Sequence, residues 1–172
     1  MPITQPGASL ADGDVTTAKI AAAAVTDVKI GTGLRPTILL NFNNIFAVIA
    51  GTWTLSKDTN MNDETLISNA TTHTLNDEIN FKFFLPAGNY NLQFHGIKSS
   101  DSGIGTFTLD ATEIGTADMY NATGTYNNKF TISNFAQATS GMATLKIKLA
   151  TKNASSSDYY FRLTTIAIWS NT

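Results

Sequence analysis

Thr144-Leu145-Lys146-Ile147-Lys148-Leu149 sets Leu145, Ile147 and Leu149 on one face of an extended chain and Thr144, Lys146 and Lys148 on the other. Strict alternation over six residues marks a strand with one face in a core and the other in water. Phe161 to Ile168 repeats the pattern. On either side of it, short apolar or alternating runs at 37–40, 45–49, 52–55, 78–85, 90–98, 105–109, 128–132, 142–149 and 159–169 all read as strands. Gly, Asn, Asp and Ser separate them. Leu85-Pro86-Ala87-Gly88-Asn89 supplies a fixed and a permissive φ for a hairpin, and Asp110-Ala111-Thr112-Glu113 reads as a second turn. No helical period interrupts the series. The expected fold is therefore all-β, an antiparallel jelly-roll sandwich over residues 35–172. Trp53, Tyr160 and Trp169 are expected to fill its core.

The 172 residues leave room for one domain and an arm, and 42% hydrophobic residues suffice for a core. Charged residues are 14%, against roughly a quarter in typical soluble domains. A net charge of −2 without any Lys/Arg cluster argues against a nucleic-acid partner. The absence of cysteine excludes disulfides and thiolate chemistry. The first residues, MPITQPGASLADGD, lack the basic and apolar regions of a secretory signal. No run reaches the roughly 18 apolar residues of a membrane helix. Synthesis in the cytoplasm without membrane insertion is the expectation.

Two copies of a ten-residue unit precede the strands: VTTAKIAAAA at 15–24 and VTDVKIGTGL at 25–34. Val15 and Val25, and Ile20 and Ile30, fall at equivalent places. Each copy has too few large apolar side chains for a core of its own, so the unit needs partners, and identical chains side by side would close Val15, Ile20, Val25 and Ile30 into apolar layers. Asp14 as N-cap, the alanine run and Gly31 as stop favour a helix; the β-branched residues favour an extended arrangement. Residues 1–14, with Pro2, Pro6, Gly7 and Gly13, form an extended N-terminal arm suited to lie along another protein.

Catalytic patterns are missing. His73 and His95 are far apart and match no metal-ligand spacing. The acidic loop 58–64, with Asp58, Asn60, Asn62, Asp63 and Glu64, offers oxygen ligands for calcium but lacks the register and glycine of a calcium loop. Asp101, Asp110, Glu113 and Asp118 have no fixed separation that would pair them for glycoside hydrolysis. There is no nucleophile elbow. No enzyme activity and no cofactor are expected. Asn69, Asn121 and Asn153 open N-x-[ST] triplets and read as ordinary loop asparagines. For binding, aromatic rings beside loops are the candidates: Tyr120, Tyr126 and Tyr159 as glycan contacts through ring stacking.

Two stretches carry a resemblance. FKFFLPAGNYNLQFHGIKSSDSGIGTFTLDATEIGTADMY, SGMATLKIKLATKN and SSSDYYFRLTTIAIW resemble the C-terminal jelly-roll domains of bacteriophage virion proteins, related in shape to carbohydrate-binding modules. VTTAKI and VTDVKI look like the IT-x-x-KI repeats near the start of phage tail-fibre proteins. The resemblance implies a homotrimer in the virion, a fibre or spike. Its N-terminal arm would contact other virion proteins while its jelly rolls reach a host-surface glycan. The alternative is a capsid decoration protein seated at capsid three-fold positions.

Overall fold

A computed structural model describes residues 37–40, 46–61, 65–69 and 73–171. The repeat with Val15, Ile20, Val25 and Ile30, and the arm before it, lie outside the described residues. Twelve strands are present among those described: β1 Thr37–Leu40, β2 Phe46–Ala50, β3 Trp53–Lys57, β4 Thr65–Asn69, β5 Glu78–Leu85, β6 Gly88–Lys98, β7 Gly103–Leu109, β8 Thr112–Asp118, β9 Thr125–Gln137, β10 Gly141–Lys152, β11 Arg162–Leu163 and β12 Ile166–Ser170. A single 3₁₀ turn, Thr59–Met61, joins them among these residues. The expected all-β jelly roll is the fold found.

The strands form two sheets. One has seven strands in the order β1-β12-β6-β11-β4-β3, with β9 also paired to β6; the other has five, in the order β2-β5-β10-β7-β8. All their ladders are antiparallel. The alternation at 144–149 is realised in β10, where Leu145, Ile147 and Leu149 are fully buried. β5 supplies Ile79, Phe81, Phe83 and Leu85 to the same core, and β6 supplies Tyr90, Leu92 and Phe94 from the opposite sheet. Period-two sequences on two facing sheets meet in one layer of side chains, the solution expected for sandwiches.

Aromatic rings dominate that layer. Phe94 stacks on Phe107 at 5.2 Å between centroids and on Phe130 at 5.0 Å, and Phe161 lies 6.4 Å from both Phe94 and Phe107. Gly105 makes room for them: a Cβ there would come 2.5 Å from the Phe161 ring. A second cluster of Met61, Leu66 and Ile97 is separate from the main core.

Several expectations need correction. β4 at 65–69 and β8 at 112–118 are strands the sequence reading did not assign. Glu113 therefore belongs to a strand, paired to Thr108, not to a turn. The expected strand 159–169 is divided into β11 and β12. Of the expected core aromatics only Trp53 is buried, its indole N–H donating to the Ala50 carbonyl. Trp169 is half-buried, on the face of β12 opposite to the buried Ile166 and Ile168. Tyr160 is half-buried in a loop and packs on charged groups.

Candidate functional site

Two regions gather chemistry, and their hydrogen bonding separates them. The first is a knot of loops around residues 99–103. A parallel bridge joins Ser99 to Tyr120 and another joins Ser102 to Tyr160. Ser99 Oγ donates to Asp101 Oδ1 and accepts from the Arg162 guanidinium at 2.6 Å and from Ser102 Oγ at 2.6 Å. One hydroxyl proton and two lone pairs are thereby all in use. Arg162 also lies over the Tyr160 ring, 4.1 Å from its centroid. His73 stacks on the same ring at 4.1 Å and 25°.

His73 Nδ1 is 2.9 Å from Asp158 Oδ2. A carboxylate only accepts, so Nδ1 carries the hydrogen. Burial pushes the Asp158 pKa up, but the hydrogen bond from His73, that from the Tyr159 N–H and the charges of His73 and Lys152 outweigh it and hold the pKa below its ordinary value. Beneath the knot, Asn69 is fully buried; its amide donates to Asp77 Oδ2 and to the Tyr159 carbonyl, each at 2.9 Å, and accepts from the Phe161 N–H at 2.8 Å. Thr74 donates to both Asp77 oxygens. The knot holds three loops together and uses its own polar groups in doing so. Arg162 Nε and Asn80 Oδ1 are the buried polar atoms left without a partner among the described residues.

The second region is a groove of about 370 Å³ on the outer face of the seven-stranded sheet, lined by Leu39, Gln93, His95, Thr164, Thr165 and Ala167 together with Phe94. Strand register explains it. Leu39 pairs with Ala167, Ala167 with Gln93 and Gln93 with Thr131, so a row crosses four strands with its smallest side chain, Ala167, inside it. Trp169 stands two residues along β12 on the same face and pairs with Asn91. His95 is pinned by its backbone, its N–H donating to Thr164 Oγ1 at 3.1 Å and its carbonyl accepting the Thr164 N–H at 2.8 Å. The side chains of Gln93, His95, Thr165 and Trp169 make no hydrogen bond or ion pair among the described residues. This face therefore offers side-chain donors and acceptors, with Trp169 half-buried on the same face next to the groove.

The tyrosines singled out in the sequence lie elsewhere. Tyr120 follows β8, its N–H held by Asp118 Oδ1 at 2.8 Å. Tyr126 opens β9 and is 45% exposed. Tyr159 packs against the core with the Lys152 ammonium 5.0 Å above its ring. In the acidic loop, Asp58 Oδ1 accepts from the N–H and side-chain amide of Asn60, and Met61 is fully buried; residues 62–64 lie outside the described residues. No group of three or more His, Asp or Glu placed to hold a metal occurs among the described residues. Gln93, His95 and Trp169 were not brought together by the sequence; Gln93 and His95 take outward positions in the alternation of β6, and Trp169 takes one in β12.

No family model matches the chain, and no curated protein matches it in sequence. Solved structures do match. The xanthan lyase of Paenibacillus is similar over 77% of this chain at TM-score 0.65 and 22% identity, the match spanning 13% of the lyase chain. The CBM36-1 domain of a multidomain xylanase from the hindgut metagenome of Trinervitermes trinervoides is similar over 80% of this chain and 99% of its own, at TM-score 0.56 and 12% identity. A carbohydrate-binding module CBM36 in complex with calcium and xylotriose is similar over 77% of this chain and 99% of its own, at TM-score 0.52 and 16% identity. The class is thus a jelly-roll domain with the fold of carbohydrate-binding modules. At these identities the likeness concerns the fold.

Proposed function

We propose that this chain is a glycan-binding attachment protein whose ligand lies in the groove across β1, β12 and β6. The observation that carries the reading is the contrast in hydrogen bonding. Gln93, His95 and Thr165 stand unengaged beside Trp169, whereas the polar groups of the loop knot serve one another. Sugars present apolar ring faces and a rim of hydroxyls, so an aromatic plane with nearby side-chain donors and acceptors suits them. The structures of similar fold described as carbohydrate-binding modules support the same class of ligand. Binding without catalysis is the activity proposed.

The repeat at 15–34 would bring three chains together through Val15, Ile20, Val25 and Ile30, and the arm at 1–14 would dock on other virion proteins. Three grooves on one particle would then add their affinities, as multivalent binders do. The glycan part is tested by electrophoresis of the full chain through gels containing bacterial surface polysaccharides. Retardation by at least one of them, lost in Ala167→Trp, is expected. Retardation unchanged in Ala167→Trp would place the ligand outside the groove and overturn the reading.

A further inference from the structure

We infer that the glycan taken by this groove is acidic, carrying carboxylates on its sugars. The inference rests on the groove being the binding site, and it comes from the distribution of charge between the sheets. The chain as a whole has 13 acidic and 11 basic residues. Yet none of the seven strands of the groove-bearing sheet contains Asp or Glu. The same strands carry Lys57, Lys98, Lys129 and Arg162, and also His95. The five-stranded sheet carries Lys82, Lys146, Lys148 and Lys152 as well, but holds Glu78, Glu113 and Asp118 beside them, so the two sheets differ in their carboxylates and not in their lysines and arginine. A protein with net negative charge has one sheet cleared of carboxylates.

Beside the groove this asymmetry becomes specific. His95 on β6 is directly paired with Lys129 on β9, so the two side chains stand on the same face as cross-strand neighbours. Like-signed groups in that position repel once both are charged, and neither has a carboxylate partner among the described residues. An anion placed between them would reverse the sign of that interaction and gain charge-assisted hydrogen bonds from both. Gln93 and Thr131, one step along the same strands, form the next cross-strand pair and would serve the uncharged hydroxyls of the same chain. Trp169 would take a ring face. A polymer bearing a carboxylate on one sugar in each repeat fits this alternation of cationic and neutral contacts.

The test uses the full chain and two matched pairs of glycans: oligogalacturonate with its methyl ester, and a glucuronate-containing oligosaccharide with its carboxyl-reduced form. Affinities are measured by calorimetry at low and high salt, with melting curves confirming that each variant folds. In at least one pair the acidic member is expected to bind about tenfold tighter at low salt, as an exposed charge-assisted contact would give. That preference should shrink at high salt and disappear in Lys129→Gln combined with His95→Gln. Equal binding of acidic and neutral members, both lost in Trp169→Ala, overturns the acidic-ligand inference and leaves the groove reading standing. Acid-selective binding that survives both Trp169→Ala and the double variant overturns the groove reading as well. Failure of the chain to bind either acidic glycan also overturns the inference.

Discussion

His73 on the turn before β5 reaches across 85 residues of sequence to hydrogen-bond Asp158 at 2.9 Å. That contact, with the His73–Tyr160 stack, ties two loops that the backbone connects only distantly. Its energetic weight depends on Asp158 being ionised. Because the folded-state pKa of Asp158 is depressed, its contribution to stability is present above the unfolded value, about 4, and is lost as pH falls through the folded value. Thermal melts of wild type and Asp158→Asn should therefore differ most above the unfolded value and converge as pH falls through the lower folded value. The difference should stay within about 1 kcal/mol, since the Asp158 side chain is 42% exposed and solvent screens the pair. A gap that widens on acidification would contradict the assignment.

Asn69 is the central member of the buried network beneath the knot. Asn69→Ala would strip a donor from the buried Asp77 carboxylate and leave the Phe161 N–H and Tyr159 carbonyl unpaired. A loss of about 3 kcal/mol or more is expected from urea unfolding. A loss below about 1 kcal/mol would mean that the network relaxes onto water.

The Phe94–Phe107–Phe130–Phe161 group should behave as one packed unit. Phe94→Ala is expected to cost about 3–5 kcal/mol, as deletion of a buried ring does. Gly105→Ala, which pushes a methyl into Phe161, should cost about 1–3 kcal/mol by overpacking. Chemical denaturation of both single variants and the double variant checks this; simple additivity would argue that the two changes act on separate structures.

These elements differ in how plainly the sequence announced them. β10 could be read because one of its faces is fully buried and the other carries lysines, so hydrophobicity and period agree. β4 could not: Leu66 and Ile67 are both buried, one in the small Met61–Ile97 cluster and the other in the main core, and alternation vanishes when both faces are covered. β8, a sheet edge with Gly115 and mostly exposed polar residues, lacks an apolar face to signal it. A position within a strand pattern suggests the core for Trp169. Its own strand argued otherwise, since Ile166 and Ile168 take the inward positions and leave Trp169 the outward one. The groove depends on register between strands far apart in sequence, Leu39 against Ala167 and Ala167 against Gln93, and local pattern carries no register.

Assembly makes a separate expectation. Ile20→Asp and Ile30→Asp together, in the full chain, should convert the proposed trimer to monomer in sedimentation equilibrium, because charges cannot enter apolar layers unpaired. The cooperative melt of the β domain should persist. An unchanged trimer would assign the contact to other residues.

The most direct measurement is a fluorescence titration of the Trp53→Phe variant, in which Trp169 is the remaining tryptophan, with a polysaccharide that retards the wild-type chain. Binding should shift or quench the Trp169 emission saturably. The affinity should match that of wild type, fall at least about tenfold in Gln93→Ala combined with Thr165→Ala, and be unaffected by Tyr126→Ala. Binding that leaves Trp169 emission unchanged, or that Tyr126→Ala abolishes, would contradict a ligand in the sheet-face groove.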